Sequence, residues 1–585
     1  MIVPRRPQSL SGFRLIPVVL LLSFSLSTGA VAASDRPATP AGDIDVPPGG
    51  DLQAALDQAR PGDTIRLSAG ATYTGWFTLP AKGGSEYIVV RTNTPDADLP
   101  PPGKRVNLAH VPLLAKVTAN AGGSVFTAAQ GAHHYRFLGL EISPSPGAFL
   151  YNVVTVGDGT EGSAADQPHD IVFERCYIHG DPAMGSRRGI AMNGRNITIA
   201  DSRISDFKEV GADSQALAGW SGTGPFTIVN NYLEGAGENI MFGGADPAVQ
   251  DLVPADISVR HNHFFKPLSW RIEDPSYAGT PWSVKNLFEL KNARRVVIEG
   301  NVFENDWTMA QTATAILFTV RNQDGTAPWS QIDHVVFRNN IVRHTGSGLS
   351  VLGYDGNFPS QQTNNVTVRN NLLYDLNAST WGGFGAFVLM LNGTRDVTLE
   401  HNTVFQSQHV ILADLLPNSG FAFRNNIAPH NDYGVFGSGR APGNDSLAAY
   451  FPGADFRRNV IPGAPATVYP SDNFYPANLS DVGFVDSASG NYRLSDLSPY
   501  RNGGTDGTDV GADIGGVEDA TCGVVNGTYC APSSRPPSGF NWPFGTLRGI
   551  PWLAIFVAVA VSLAVLAFGL AKLRKGRTRA PPPAP

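Results

Sequence analysis

The sequence predicts an all-β chain wound as a right-handed, single-stranded parallel β-helix, with an N-terminal capping helix and one C-terminal transmembrane helix. Three observations carry the solenoid. Short stretches alternate apolar and polar residues, which buries one face and wets the other. One such phrase recurs along the chain at Ile171–Cys176, Ile197–Ser202, Phe226–Asn231, Ile257–Asn262, Val296–Asn301, Val335–Asn340, Val366–Asn371, Val397–Asn402 and Phe421–Asn426. Successive starts lie 24 to 39 residues apart, inside the range that marks solenoids. From residue 231 onward the phrase always closes on Asn. An inward Asn at a turn can bond the coils above and below and satisfy backbone amides in a tight bend. Each unit is too small to bury its own face, so neighbours must stack.

Composition agrees. Only 16% of the 585 residues are charged and 64 are Gly, which suits many short turns around a long apolar core. A net charge of −7, with no basic run in the repeats, excludes nucleic acid as a partner. Three cysteines are too few for a disulfide framework. Cys176 occupies an anchor position and reads as a buried, inert thiol. Cys522 and Cys530 can close a small loop in an oxidising compartment.

Taken in order, residues 1–33 read as a secretory signal: Arg5, Arg6 and Arg14, an apolar run from Leu15 to Leu26, then Ala30-Val31-Ala32. Residues Gly50–Ala59 read as a short amphipathic helix capped by Asp51, which would cover the open end of the stack. Coils then fill 45–515, with Tyr492–Leu494 and Val510–Ile514 as the last short strands. Residues 516–548 turn to Pro, Ser and Gly and read as a tether. Ile550–Ala571 is apolar for about 22 residues, enough to span a bilayer. The basic, Pro-rich stretch 572–585 would stay cytoplasmic. Together these place the solenoid outside the cytoplasmic membrane, at the cell surface or in the periplasm, held by its C-terminus.

Alternation also assigns faces. Phe288 and Leu290 point inward, so Leu287, Glu289 and Lys291 point outward. Phe318 and Val320 point inward, leaving Thr319 and Arg321 outside. Aligning the two coils puts Lys291 and Arg321 at one corner. Parallel strands about 4.8 Å apart would stack these cations unless an anion lies beside them. Glu289 can serve in part, and a substrate carboxylate serves better.

This opening and repeat resemble pectate-lyase-like β-helix proteins. The site region is similar to the alginate lyase and chondroitinase B group of polysaccharide lyases. The resemblance implies β-elimination on an acidic polysaccharide, with Lys291 in Glu-Leu-Lys-Asn as the base. Arg321 in Thr-Val-Arg-Asn matches the Arg that assists the leaving group or clamps the carboxylate. It also implies a calcium held by acidic residues, for which Glu238 and Asp246 are the candidates, although the family's acidic residue just before its Lys is unmatched here. Trp270, Trp282, Trp307 and Trp329 fall in long turns around this corner, with Asn322 beside Arg321. Their rings suit stacking on sugars or packing of the loops onto the wall. Three readings stay open: a lyase, a non-catalytic carbohydrate-binding or adhesion solenoid, and a uronate epimerase sharing the proton abstraction.

Weaker features read as structural. Gln331–His334 resembles a pectate lyase phrase without its Arg-containing partner. His133-His134 precedes a strand and reads as turn chemistry, as do Asp324 and Asp355, each followed by Gly.

Overall fold

The structure, a computed structural model, describes residues 42–530. Three parallel sheets of 14, 12 and 11 strands run its length. Each coil gives one strand to each sheet, so the chain is a parallel β-helix. The repeated phrase forms the 14-stranded sheet, where Val296 pairs with Val335 and Ile298 with Phe337, and the next coil adds Val366 and Val368. Their side chains are 0–1% exposed. Inside, rings stack from coil to coil: Phe137 on Phe173 at 4.8 Å and Phe264 on Phe303 at 4.3 Å.

The Asn spine is continuous. Asn231, Asn262, Asn301, Asn340, Asn371, Asn402, Asn426, Asn459 and Asn473 each accept the backbone N–H of the ladder residue one coil earlier, at 2.8 to 3.1 Å. Through Nδ2 each also donates back to a strand carbonyl, as Asn340 does to Ile298 O at 3.0 Å. The residue before each ladder Asn from Asn231 to Asn459 is left-handed, with φ of 55° at His261, 55° at Asn339 and 51° at His401. That conformation costs about 1–2 kcal/mol per non-Gly residue, which the ladder bonds offset. In one coil the position is Gly300, where an added Cβ would meet Ala520 O at 2.6 Å.

The capping helix spans Leu52–Gln58, with Asp51 Oδ1 accepting from Ala54 N. Leu52, Ala55 and Leu56 plug the end of the core. Gln53 also pairs its amide with the free edge of the strand Phe77–Leu79, accepting from Thr78 N at 2.8 Å and donating to Thr78 O at 3.0 Å. An edge that would recruit another strand is thereby closed.

The far end differs from the sequence reading. The last parallel strand is Asp455–Arg457, and the spine stops at Asn473. Asn491–Leu494 pairs antiparallel with Phe484–Asp486 in a separate two-stranded sheet, and the stretch after Val510 turns into the α-helix Ile514–Thr521. This tail runs back along the solenoid as a strap. Thr505 N meets Asn425, Asp513 N meets Asn370, Ala520 sits on Gly300, Cys522 O accepts from His261, and Gly527 O accepts from Arg105 N. Ile514 and Val517 pack on Leu372 and on outward side chains of the 11-stranded sheet. Residues 516–530, which composition read as the start of a tether, are therefore held against the wall, and Cys522–Cys530 is a disulfide.

The C-terminal transmembrane helix is corrected as a part of this fold. Among the described residues no helix is long and apolar enough to cross a membrane. The longest of them, Ile514–Thr521, has 8 residues, against about 20 for a span. The stretch 550–571 lies outside the described residues, as do the signal at 1–33, the rest of the tether and the tail at 572–585.

Candidate functional site

Phe288–Leu290 and Thr314–Thr319 are neighbours in the 12-stranded sheet, with Phe288 opposite Ile316 and Leu290 opposite Phe318. All four fill the interior, and Glu289 and Lys291 lie on the outer side. Leu287 was expected outside and is in the core at 0% exposure. The strand begins only at Phe288, so alternation does not reach back through the bend.

Lys291 is fixed by its backbone. Its N–H donates to Phe242 O at 2.7 Å, and its carbonyl accepts from Arg321 N at 2.9 Å. Its side chain lies over Gly243, where φ is 98° and an added Cβ would come within 2.7 Å of Lys291 Cβ. Carried one residue on, the register sets Thr319 beside Lys291, and Arg321 follows where the strand has ended. The two cations are thus neighbours across adjacent coils but do not stack rung on rung.

Each has an acidic companion. Glu289 is 3% exposed. Its Oε1 accepts from Thr319 Oγ1 at 3.1 Å and lies 3.9 Å from Lys291 Nζ, while Oε2 accepts from Asn286 Nδ2 at 3.3 Å. Arg321 Nη1 is 3.3 Å from Asp355 Oδ1, and the other oxygen of Asp355 accepts from Asn322 N. Asp355 therefore combines turn duty with orienting Arg321. Asn322 is spent on structure: fully buried, it donates to Pro359 O and accepts from Ala327 N. At 0% exposure its amide does not face a sugar.

Upstream the polar band continues over three more coils. Arg188 Nε donates to Gln215 Oε1 at 3.0 Å, and Gln215 Nε2 donates to Glu238 Oε2 at 2.7 Å. Lys285 Nζ lies 2.5 Å from Asp213 Oδ1 and 3.7 Å from Glu238 Oε1. Burial, with the nearby Glu289 charge adding to it, pushes the Glu238 carboxyl up to about 7. Burial pulls Lys285 down, but the carboxylates of Glu238 and Asp213 outweigh it and leave its pKa raised. Gln215, Arg188, Asp213 and Lys285 escaped the sequence reading, because nothing in one coil announces which polar residue its neighbour will meet.

Glu238 and Asp246 do not form a calcium site. Glu238 opens the strand Glu238–Phe242 and Asp246 follows its end, so about 13 Å of strand separates their starting points. Asp246 Oδ2 instead collects Asp324 N, Thr326 N and Thr326 Oγ1, pinning the loop after Arg321. Calcium takes six to eight oxygens, and among the described residues no three carboxylates converge here.

The tryptophans are loop anchors. Trp270, Trp282 and Trp307 are 3%, 7% and 3% exposed and pack together with Trp381 and Val284. Lys208 Nζ sits 5.4 and 5.3 Å from the first two rings. Their faces are taken by protein, so they offer no platform to a sugar. Trp329 is half-buried and donates to Leu252 O. The aromatic rings nearer solvent beside the band are Tyr151, 54% exposed, and Trp220, both against Arg188.

Downstream of Thr319 and Arg321 the outer face of the same sheet forms a groove of about 540 Å³. Arg321 and Asp414 supply its charge, Leu352, Leu391 and Leu412 line it, and Phe384 flanks it.

No family model and no curated protein matches the chain. Among solved structures it is similar to AlyGC, an alginate lyase of the PL6 family, at 13% identity and a TM-score of 0.45, over 86% of this chain and 60% of that one. Pectate lyase Pel9A aligns at 14% identity and a TM-score of 0.30, over 81% of this chain and 96% of its own. PfbA, a surface adhesin of Streptococcus pneumoniae, aligns at 11% and 0.37, over 66% and 86%. Two of these three are named as lyases and one as an adhesin, and the chain's own activity rests on its site.

Proposed function

We propose that this protein engages an acidic polysaccharide along the outer face of the 12-stranded sheet and cleaves it there by β-elimination. The observation that carries the reading is the Lys291–Arg321 pair. The two are joined backbone to backbone on adjacent coils, both side chains are partly exposed, and a groove opens beside Arg321. Lys291 Nζ takes the proton alpha to the uronate carboxylate as general base. The electron pair freed forms the C4=C5 double bond, and the glycosidic oxygen departs from C4 and is protonated by solvent. Arg321 clamps the carboxylate, a task its planar guanidinium suits better than acid catalysis. Glu289, held by Thr319 and Asn286, positions Lys291. The Cys522–Cys530 disulfide supports an extracytoplasmic site of action.

Binding without cleavage is the second reading, favoured by the acidic companion each cation already has. Absorbance of unsaturated products separates the two. Wild type incubated with alginate, pectate or glycosaminoglycan is expected to release ultraviolet-absorbing ends from one of them, and Lys291→Ala to lower that rate by about 10²–10⁴. Retention of polymer with no product from either protein would establish binding alone. Inverted stereochemistry at C5 without chain scission would mark an epimerase.

A further inference from the structure

Where two adjacent strands of the 14-stranded sheet begin, three imidazoles come together. His133 and His169 occupy paired positions on adjacent coils, and their rings stack at 4.6 Å. His134, whose φ is 57°, turns its ring back so that Nδ1 lies 2.7 Å from His133 Nδ1. One nitrogen from each of the three lies within 4.8 Å of the others, and all three residues are partly exposed. Among the described residues this is the one such group.

The same corner is built differently in other coils. Asp256 and Arg295 form a bidentate pair there at 2.7 Å, and Asp333 collects the amides of Asn364 and Asn365. Opposite charges or amides suit a repeating corner. Two stacked imidazoles with a third edge-on do not, because protonating them together sets like charges side by side. Two ring nitrogens 2.7 Å apart must share either a proton or a cation.

Asp170 adds the second observation. Its Oδ2 lies 2.5 Å from His169 Nδ1, and Asn196 donates to its other oxygen. A His that donates Nδ1–H to an anchored carboxylate presents Nε2 as a free lone pair, the arrangement that orients imidazoles toward metals. We propose that His133, His134 and His169 bind a divalent first-row transition ion of zinc type, with Asp170 holding His169 at Nδ1 and lying 3.9 Å from His134 Nε2. Imidazole donors select such ions over calcium or magnesium. A tetrahedral ion with N–metal bonds of about 2.0–2.1 Å sets its nitrogens about 3.4 Å apart, against a spacing of up to 4.8 Å in the ion-free arrangement. The fourth position stays open to solvent. The ion would staple two coils near the N-terminal end, away from Lys291.

The test uses the full chain, stripped with a chelator and titrated with Zn(II) alone by calorimetry, then with Co(II) alone by visible absorption. One saturable equivalent and a tetrahedral cobalt band are expected, with a rise in melting temperature on adding Zn(II). His133→Gln and His169→Gln should each weaken binding at least tenfold, and Asp170→Asn by about ten- to a hundredfold. His344→Ala, outside the group, should bind as wild type. Metal-free melting of every variant reports whether it folds. The proposal is overturned if wild type takes up no saturable ion, or if folded His133→Gln and His169→Gln keep wild-type affinity.

Discussion

The Asn spine and the charged band on the 12-stranded sheet are built from the same coils yet obey opposite rules. Along the spine one residue type repeats nine times, and each ladder Asn from Asn231 to Asn459 is bonded to the coils before and after it. Along the band no residue type repeats: Arg188, Gln215 and Glu238 take the same rung in successive coils. Glu238 Oε1 there is buried without a hydrogen bond. Repetition satisfies the backbone and makes a wall. Departure from repetition leaves charge unspent, and that charge is what a ligand can use.

The comparison predicts where stability resides. Asn340→Ala would strip the acceptor from Asn301 N and Asn301 Nδ2 and remove a donor to Ile298 O inside the core. A cost of about 3 kcal/mol is expected from urea unfolding, and a cost under about 1 kcal/mol would break the contrast. Glu238 should behave in the opposite sense. Its pKa in the folded chain, about 7, lies above its ordinary 4.5, so the unfolded state releases the proton first. Stability then falls as pH rises from about 4.5 to about 7. Glu238→Gln is therefore expected to be more stable than wild type at pH 8, by on the order of 2 kcal/mol, and equal to it at pH 4. Parallel stability–pH curves for the two proteins would show that Glu238 is not held as described. Lys291→Ala and Arg321→Ala sit at the small end. Both side chains are partly exposed and loosely paired, so each should cost less than about 1 kcal/mol in thermal melting while removing activity on polymer. Gly243→Ala sharpens the last point: an added Cβ at φ 98° would push on the Lys291 stem, lowering turnover with the cationic groups intact.

The strap teaches a related lesson. Its residues show no alternation and no repeat, and by composition they read as linker. They are ordered because the wall offers them partners: Asn425, Asn370, His261 and Arg105 each bond the returning chain. A segment whose partners lie 80 to 422 residues away in sequence, the last being Arg105 and Gly527, leaves no local signature to read.

What the sequence by itself determined is whatever repeats. The period, the inward faces, the Asn spine and the helix capped by Asp51 follow from spacing and side-chain chemistry within a single coil, and these are local rules. Tertiary structure decided everything that depends on one coil meeting another. It set Thr319 rather than Arg321 beside Lys291, drew Leu287 into the core and closed the tryptophans over one another. It also ended the solenoid near residue 474, folded the following stretch back as a strap, and gathered His133, His134 and His169 from two coils into one cluster. Register between strands is a property of the stack, and only the stack reveals which side chains become neighbours.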